Sequence, residues 1–451
     1  MSDRIHFIGV GGSGMSAVAR LIAARGYAVS GTNLTQTAYF DALRDAGMDV
    51  QLGHDAALVD GAAAVVISTA VRETNVELAR ARELGIPVWH RSEALVRALE
   101  GQRLIAVAGS HGKTTTSAMV AHALHASGVD AGFAVGARVF GIEGAVAGGY
   151  AGTSGISVLE ADESDGSFLR YHPEVAILLN IEPDHLDFHG TVENLHRAFA
   201  DFAAQSRTVV ACVDDAVVRG LVEDARARGA RVVTYGSAGS GADAEVGPDG
   251  IAYEGRTVPL AVSAPGHHNR LNATAAWLAA LEVGADPEAA AASFSSFAGT
   301  GRRYQLRGEA AGVRVIDDYA HHPTEVAALL TAARDAGVGR MVVLFQPALF
   351  TRTRDHAASF GRALSVADAA VVLAPVHGDR EDPIPGVSSE SIAAHAVMPD
   401  GSTLTLAADL EDAARLAADA ARPGDTVFTV GSGTVTLAAD QILARLAERD
   451  V

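Results

Sequence analysis

Lysine is almost missing from this 451-residue chain: of its 35 basic residues one is lysine, Lys113, and the rest are arginine. Cysteine is equally scarce. Cys212 stands alone, which excludes an internal disulfide framework or a thiolate metal cluster and leads us to expect a reducing, cytoplasmic setting. Positive charge is short overall, since 54 acidic residues bring the formal net charge to −19. Phosphate backbones are bound by basic surfaces, so nucleic acid is not an expected partner. No run of roughly 18 apolar residues is free of charge, and Asp3 and Arg4 lead straight into a strand pattern. Neither membrane insertion nor a signal peptide is expected.

What is present is apolar and rich in glycine: 49% of residues are hydrophobic and 47 are Gly, enough for large packed cores. The length suggests about three domains. A coding bias toward arginine explains the loss of lysine, but not why the one survivor sits in "AGSHGKTTT".

Strand and helix patterns alternate from the start. "IHFIGV" reads as a strand, "MSAVARLIAARG" as a helix, "AVSGTN" as a strand, "YFDALRDAG" as a helix, and "AAVVIST" and "IPVWH" as strands. Such alternation predicts a mostly parallel sheet. A second unit begins at "RLIAVAGSHGKTTTSAMVAHALHASG", and its "GSAGSGADAEVGPDG" reads as an exposed loop or hairpin. After "FSSFAGTGRRYQLRG", a stretch with the look of a linker, a third alternating segment follows. The expected domains are 1–100, 101–299 and 300–451, all α/β: two Rossmann-like domains flanking a central P-loop ATPase-type domain.

The centre carries the clearest chemistry. The full eight-residue phosphate-loop pattern would place glycine at position 107, where this chain has Val107, so Gly109, Ser110, His111, Gly112, Lys113 and Thr114 form a shortened variant. Backbone N–H groups and the following helix N-terminus face an anion there. Lysine is a compact point charge for the β- and γ-phosphates, and the hydroxyl of Thr114 or Thr115 can ligate Mg²⁺. Arginine, planar and bulky, would not replace it, which gives a physical reason for one lysine to persist. "VLEADESDGSF" ends a strand in Glu160, Asp162, Glu163 and Asp165; Mg²⁺ prefers carboxylates joined by phosphate oxygens, and Glu160 is the first candidate. His185 in "NIEPDHLDFHG" is a second metal or phosphate contact.

The opening "GVGGSG" sets Gly9, Gly11 and Gly14 in dinucleotide-binding register. A nicotinamide enzyme would also need an acidic residue closing the second strand. That strand ends at Asn33, with no Asp or Glu before Asp41, and the second phosphate loop would go unexplained.

"FIGVGGSGMSAVA", "GSHGKTTT", "EADESDGSFL", "NIEPDHLDFHG", "HHNRLNATAA", "GRRYQ", "DDYAHHPTE" and "FQP…TRTRD" follow the order found in the Mur ligases of bacterial cell-wall synthesis. The chain resembles this family over nearly its whole length, and its alanine-adding branch most. The resemblance implies that ATP phosphorylates the lactyl carboxylate of UDP-N-acetylmuramate and that the amino group of L-alanine attacks the acyl phosphate. The alternative within the family is a recycling ligase that attaches a peptide to the same nucleotide. By resemblance Lys113 and Thr114 hold the triphosphate and Mg²⁺, with Glu160 and His185 on the metal. His268, Asn269 and Asn272 reach the adenine nucleotide, and Arg302, Arg303, Asp318, Tyr319 and His321 close over ATP. The glycine turn, Gly11, Gly12, Ser13, Gly14 and Met15, then holds the UDP-sugar, with His54, Ser68, Thr69, Asn75 and Arg91 as further contacts. Arg352 matches a residue that could pair with the alanine carboxylate, whereas Ala348 and Leu349 stand where the branch carries a His and often an Arg. A carbamoylated lysine, which bridges metals in related ligases, cannot form here. The expected assembly is a monomer or weak dimer.

Overall fold

In the computed structural model, residues 3–378 and 381–450 are described. β-Branched and aliphatic runs form the strands, and glycine-ended helices return the chain to the next one. The first sheet is all parallel, with Asp49–Leu52, Ala28–Asn33, Arg4–Ile8, Ala64–Ile67 and Val88–His90 in spatial order. Parallel strands need crossovers, which are supplied by Ser13–Ala24, Ala38–Asp45 and Val76–Glu83. The order reverses beside Arg4–Ile8, and ligands bind at such a switch point, outside the carboxyl ends of the strands. The strand Asp49–Leu52 and the helices Val76–Glu83 and Arg91–Ala98 are additions to the elements read from the sequence.

The second sheet has ten strands. Arg103–Ala108 lies between Val175–Leu178 and Ile156–Glu160, parallel to both. The turns that follow all three therefore meet at one edge. The polar glycine-rich stretch is a hairpin, Ala244–Gly247 against Gly250–Tyr253, which extends the sheet. The third sheet places Gln305–Ala310 antiparallel to Val313–Asp318, followed by parallel Thr426–Val430, Met341–Phe345, Ala370–Leu373 and Thr403–Leu406.

By compactness the chain divides into two units, Met1–Ser263 with Arg270–Thr300, and Ala264–Asn269 with Gly301–Val451. Within the first, buried apolar side chains run from Ile5, Phe7 and Leu21 through Leu159 to Phe168, Phe199 and Phe202 without a break. Gly149 helps join the two sheets, because a β-carbon there would strike the backbone of Ala17. The second unit buries Val315, Val342, Leu344, Val427 and Ile442 on one face of its sheet and Val326, Leu330, Phe345, Phe360 and Phe428 on the other, as expected of a sheet covered on both faces.

Candidate active site

The phosphate loop follows the central strand Arg103–Ala108, and the helix Lys113–Ala126 starts directly after it. Gly112 is the N-cap and is left-handed, φ 87°, a conformation glycine adopts without strain. The preceding turn is pinned by the end of the neighbouring strand. Ser110 N–H donates to the Asn180 carbonyl at 2.9 Å, His111 N–H to Asn180 Oδ1 at 2.8 Å, and Glu182 N–H to Ser110 Oγ at 2.9 Å. The His111 ring lies 3.3 Å from the Glu182 carboxylate. Asn180 was not singled out in the sequence, although it sits in the same block as His185.

Lys113 curls back over its own loop. Its Nζ donates to the Gly109 carbonyl at 2.6 Å and the Ser110 carbonyl at 3.2 Å. It also meets both oxygens of Glu163, at 3.0 and 2.8 Å. Burial alone would lower the lysine pKa, but Glu163, Asp162 and Glu160 more than offset this and raise it. Glu163 is itself buried, which pushes its carboxyl up to about 7 despite the adjacent lysine. The acidic cluster thus contains the lysine's partner as well as the expected metal residue.

Thr114 and Glu160 come together as the sequence suggested: Thr114 Oγ1 donates to Glu160 Oε1 at 2.9 Å. Gly136 N–H fixes the other carboxylate oxygen at 2.6 Å. A hydroxyl and an oriented carboxylate form a hard oxygen donor set that fits Mg²⁺. Thr115 occupies the first turn of the same helix. His185 follows the strand on the other side of the loop; it adopts φ 54°, uncommon for a residue with a β-carbon, and its ring is 3.7 Å from Asp184. Asn272 lies against the loop, since a β-carbon on Gly112 would sit 3.1 Å from its Oδ1.

In the first sheet, Gly9, φ 81°, starts the turn, and Gly12 caps the helix Ser13–Ala24 without a side-chain cap. The Ser13 carbonyl is taken by Ser16 Oγ, 2.8 Å away, and Met15 is buried. Gly11 N–H donates to Asn33 Oδ1 at 3.2 Å, and Asn33 and Thr37 leave no room for a β-carbon at Gly11. The Arg91 guanidinium fills the corresponding space at Gly14 and lies 3.7 Å from Asp162. Ser68 and Thr69 are in the turn after Ala64–Ile67, Thr69 exposed. Asn75 has a structural use: its Oδ1 caps the helix Val76–Glu83, accepting from Glu77 and Leu78 N–H. His54 bonds inward to Thr32 at 2.9 Å.

In the second unit, "GRRYQ" is no solvated linker. Arg302 and Tyr304 have positive φ, 60° and 49°, and Tyr304 N–H donates to Asp318 at 2.7 Å. Two guanidiniums lie over the Tyr319 ring, Arg302 at 4.8 Å and Arg303 at 5.2 Å from its centre, a cation–π arrangement. Arg302 also reaches Asp317 at 3.3 Å, and Arg303 lies 3.6 Å from Glu325. Burial pushes the Asp318 carboxyl up to about 6. Burial lowers His321 to about 4 although Glu325 is 3.3 Å away, and the charge of Arg352 acts in the same sense. His268 is lowered by burial, and Asn269 Nδ2 donates to the Pro265 carbonyl at 2.7 Å. Ala348 pairs with His377 in a short parallel bridge, and Leu349, φ 68°, caps the helix Phe350–Leu364 that carries Arg352.

Family models match the chain in three consecutive segments: "Mur ligase family, catalytic domain" over 4–103, "Mur ligase middle domain" over 107–280 and "Mur ligase, glutamate ligase domain" over 302–433. The UDP-N-acetylmuramate–L-alanine ligase of Kineococcus radiotolerans is 47% identical over 99% of this chain and 97% of its own. The enzyme of the same name from Paenarthrobacter aurescens is 46% identical over 96% and 95%. Among solved structures, the UDP-N-acetylmuramate–alanine ligase of Thermotoga maritima superposes with TM-score 0.83 at 27% identity, covering 99% of each chain. A murein peptide ligase of Psychrobacter arcticus gives TM-score 0.72 at 25% identity over 98% of each. A sequence match in every segment and a structural match over the whole length place three α/β domains in one known order, and this chain belongs to the Mur ligase family.

Proposed function

We propose that the chain joins L-alanine to the lactyl carboxylate of UDP-N-acetylmuramate at the expense of ATP, in peptidoglycan precursor synthesis. The observation that supports the chemistry most is the only lysine folded over a phosphate loop, beside a hydroxyl–carboxylate pair. The relatives named above supply the substrates.

Transfer of the γ-phosphoryl to the lactyl carboxylate gives an acyl phosphate and ADP. Attack by the amine then forms the amide and expels phosphate. Phosphoryl transfer depends on positioning and on neutralising charge. Lys113 leaves Glu163 for the phosphates, and the Glu163 carboxyl, already pushed up to about 7, takes a proton rather than remain a buried unpaired charge. Thr114, Glu160 and His185 would hold Mg²⁺, which when bound neutralises phosphate charge. His268, Asn269, Asn272, Arg302, Arg303, Asp318, Tyr319 and His321 serve the nucleotide, and Arg352 the alanine carboxylate. The UDP-sugar lies on the turn Gly11–Met15, with Arg91, Ser68 and Thr69 beside it. We keep the domain limits 1–100, 101–299 and 300–451, a reading that the three separate sheets support. We place the reaction in the cytoplasm, on a monomer or weak dimer; no helix among the described residues is long and apolar enough to cross a membrane.

Incubation with ATP, UDP-N-acetylmuramate and L-alanine tests this reading. One ADP and one phosphate should appear per amide formed, with Ser and Gly as poorer substrates. Turnover with a tripeptide but not with alanine would replace it by the recycling ligase.

A further inference from the structure

A buried polar cluster lies behind the glycine turn, and apart from His54 at its edge it has no part in the scheme above. Glu77 is 0% exposed, so its carboxylate has to be satisfied by protein groups. Oε1 accepts Asp55 N–H at 3.0 Å. Oε2 accepts Thr32 Oγ1–H at 2.7 Å and faces His6 Nε2 at 3.4 Å. Burial alone would raise the Glu77 pKa, but the hydrogen bonds from His6, Thr32 and Asp55 more than offset it and hold it low. The carboxylate is ionised and can only accept.

Counting protons then fixes the rest. Thr32 has one hydroxyl proton and gives it to Glu77, so its oxygen can only accept from His54 Nδ1, 2.9 Å away. His54 Nδ1 also lies 3.4 Å from Glu77 Oε2, again a place for a proton. With one N–H on the ring, placed at Nδ1 by these two acceptors, Nε2 is left as an acceptor. On the other side, Ser30 Oγ accepts from Arg4 at 2.7 Å and gives its proton to His6 Nδ1 at 2.9 Å, keeping His6 Nε2–H for Glu77. The His54 side chain is 17% exposed, and no described residue hydrogen-bonds its Nε2.

His54 stands past the strand Asp49–Leu52, two strands out from the glycine turn on the same edge. Thr32 O ties the strand between them to Gly9 and Val10 N–H, at 2.8 and 2.9 Å. Two strand spacings are about 10 Å, the reach from a diphosphate on the turn across its nucleoside.

We propose that Glu77 is a positioning residue: through Thr32 it locks His54 with Nε2 as an acceptor, so that the site selects a hydrogen-bond donor of the uridine, either uracil N3–H or the ribose 2′-hydroxyl. The proposal rests on the UDP-sugar reading above.

Glu77→Gln tests it with almost no change of shape. The amide oxygen is needed by Asp55 N–H, so the amide NH₂ faces Thr32 and reverses the relay. Thr32 then donates to His54, and Nε2 becomes a donor facing a donor. The expected result is a KM for UDP-N-acetylmuramate raised about tenfold or more, with kcat and the KM for ATP within about twofold. Thr32→Val should move the same constant in the same direction and Thr32→Ser should restore it; this pair carries the test if Glu77→Gln folds poorly. In calorimetric titrations of wild type with UDP, 3-methyl-UDP and 2′-deoxy-UDP, the analogue lacking the selected donor should bind worse and should lose nothing further in Glu77→Gln. Equal UDP affinity in wild type, Glu77→Gln and Thr32→Val overturns the relay. Failure of wild type to bind UDP or UDP-N-acetylmuramate at all overturns the substrate reading instead.

Discussion

Two strand–glycine–helix turns share this chain, and the function proposed above gives them different work. At the first, Gly12 caps its helix in an extended conformation with no side-chain cap, and the cation at hand, Arg91, comes from another helix. At the second, Gly112 is left-handed and the lysine belongs to the turn itself, flanked by Thr114 and Glu160. Backbone N–H groups and a helix N-terminus suffice to hold a diphosphate that leaves the reaction unchanged. A phosphoryl group in transfer changes its charge distribution, so it requires a mobile point charge and oxygen ligands within reach. On the proposed reading, the same backbone device becomes a substrate site or a reaction site according to the side chains brought to it.

The comparison breaks most visibly at Lys113. Lys113→Met should lower kcat by about 10²–10³-fold or more while UDP-N-acetylmuramate affinity, followed by calorimetry, stays within twofold or so. An equal loss of both would mean that the turns are not separate sites. Glu160→Gln should come next, with a kcat loss of about 10²-fold that added Mg²⁺ partly restores, measured as phosphate release against Mg²⁺ concentration. Gly14→Ala should act on the other side. A β-carbon displaces the Arg91 guanidinium, so the KM for UDP-N-acetylmuramate should rise roughly tenfold with the KM for ATP unmoved.

The smallest effect is on stability. The folded pKa of Glu163 is about 7 and its ordinary value 4.5, so the native state binds a proton more readily than the unfolded chain. This contribution is fully present below pH 4.5 and is lost as pH rises through about 7, on the order of 3 kcal/mol in all. Melting temperatures across that window should fall more steeply with rising pH for wild type than for Glu163→Gln. Parallel curves would show that Lys113 holds Glu163 ionised throughout.

The alternation of short apolar strands with helices was open to reading because strand and helix periods are local properties of the chain. "AVSGTN" reads as a strand and is one, Ala28–Asn33. The candidate reaction site was legible for a different reason: phosphate loops need glycine and lysine at fixed spacing, and a chain with one lysine marks the place. Other partners were not visible. Asn180, which pins the loop, and Glu163, which holds Lys113, come from the turns after the two strands that flank Arg103–Ala108. Strand neighbours are chosen by the sheet, not by separation along the chain. Asn75, a polar residue after a strand, also caps a helix, a use that its place in the sequence did not show.

The sequence by itself determined which chemistry this protein can perform, because a single lysine, the hydroxyl after it and a carboxylate at a strand end are covalent facts that folding cannot alter. The tertiary structure decided which of the polar groups act together. Glu77, His6, Thr32 and His54 are spread over some seventy positions and meet only because three parallel strands and one crossover helix bring them to one place. Burial there forbids an unpaired charge, so the direction of each hydrogen bond is set by what encloses it. Spacing along the chain carries no record of that enclosure.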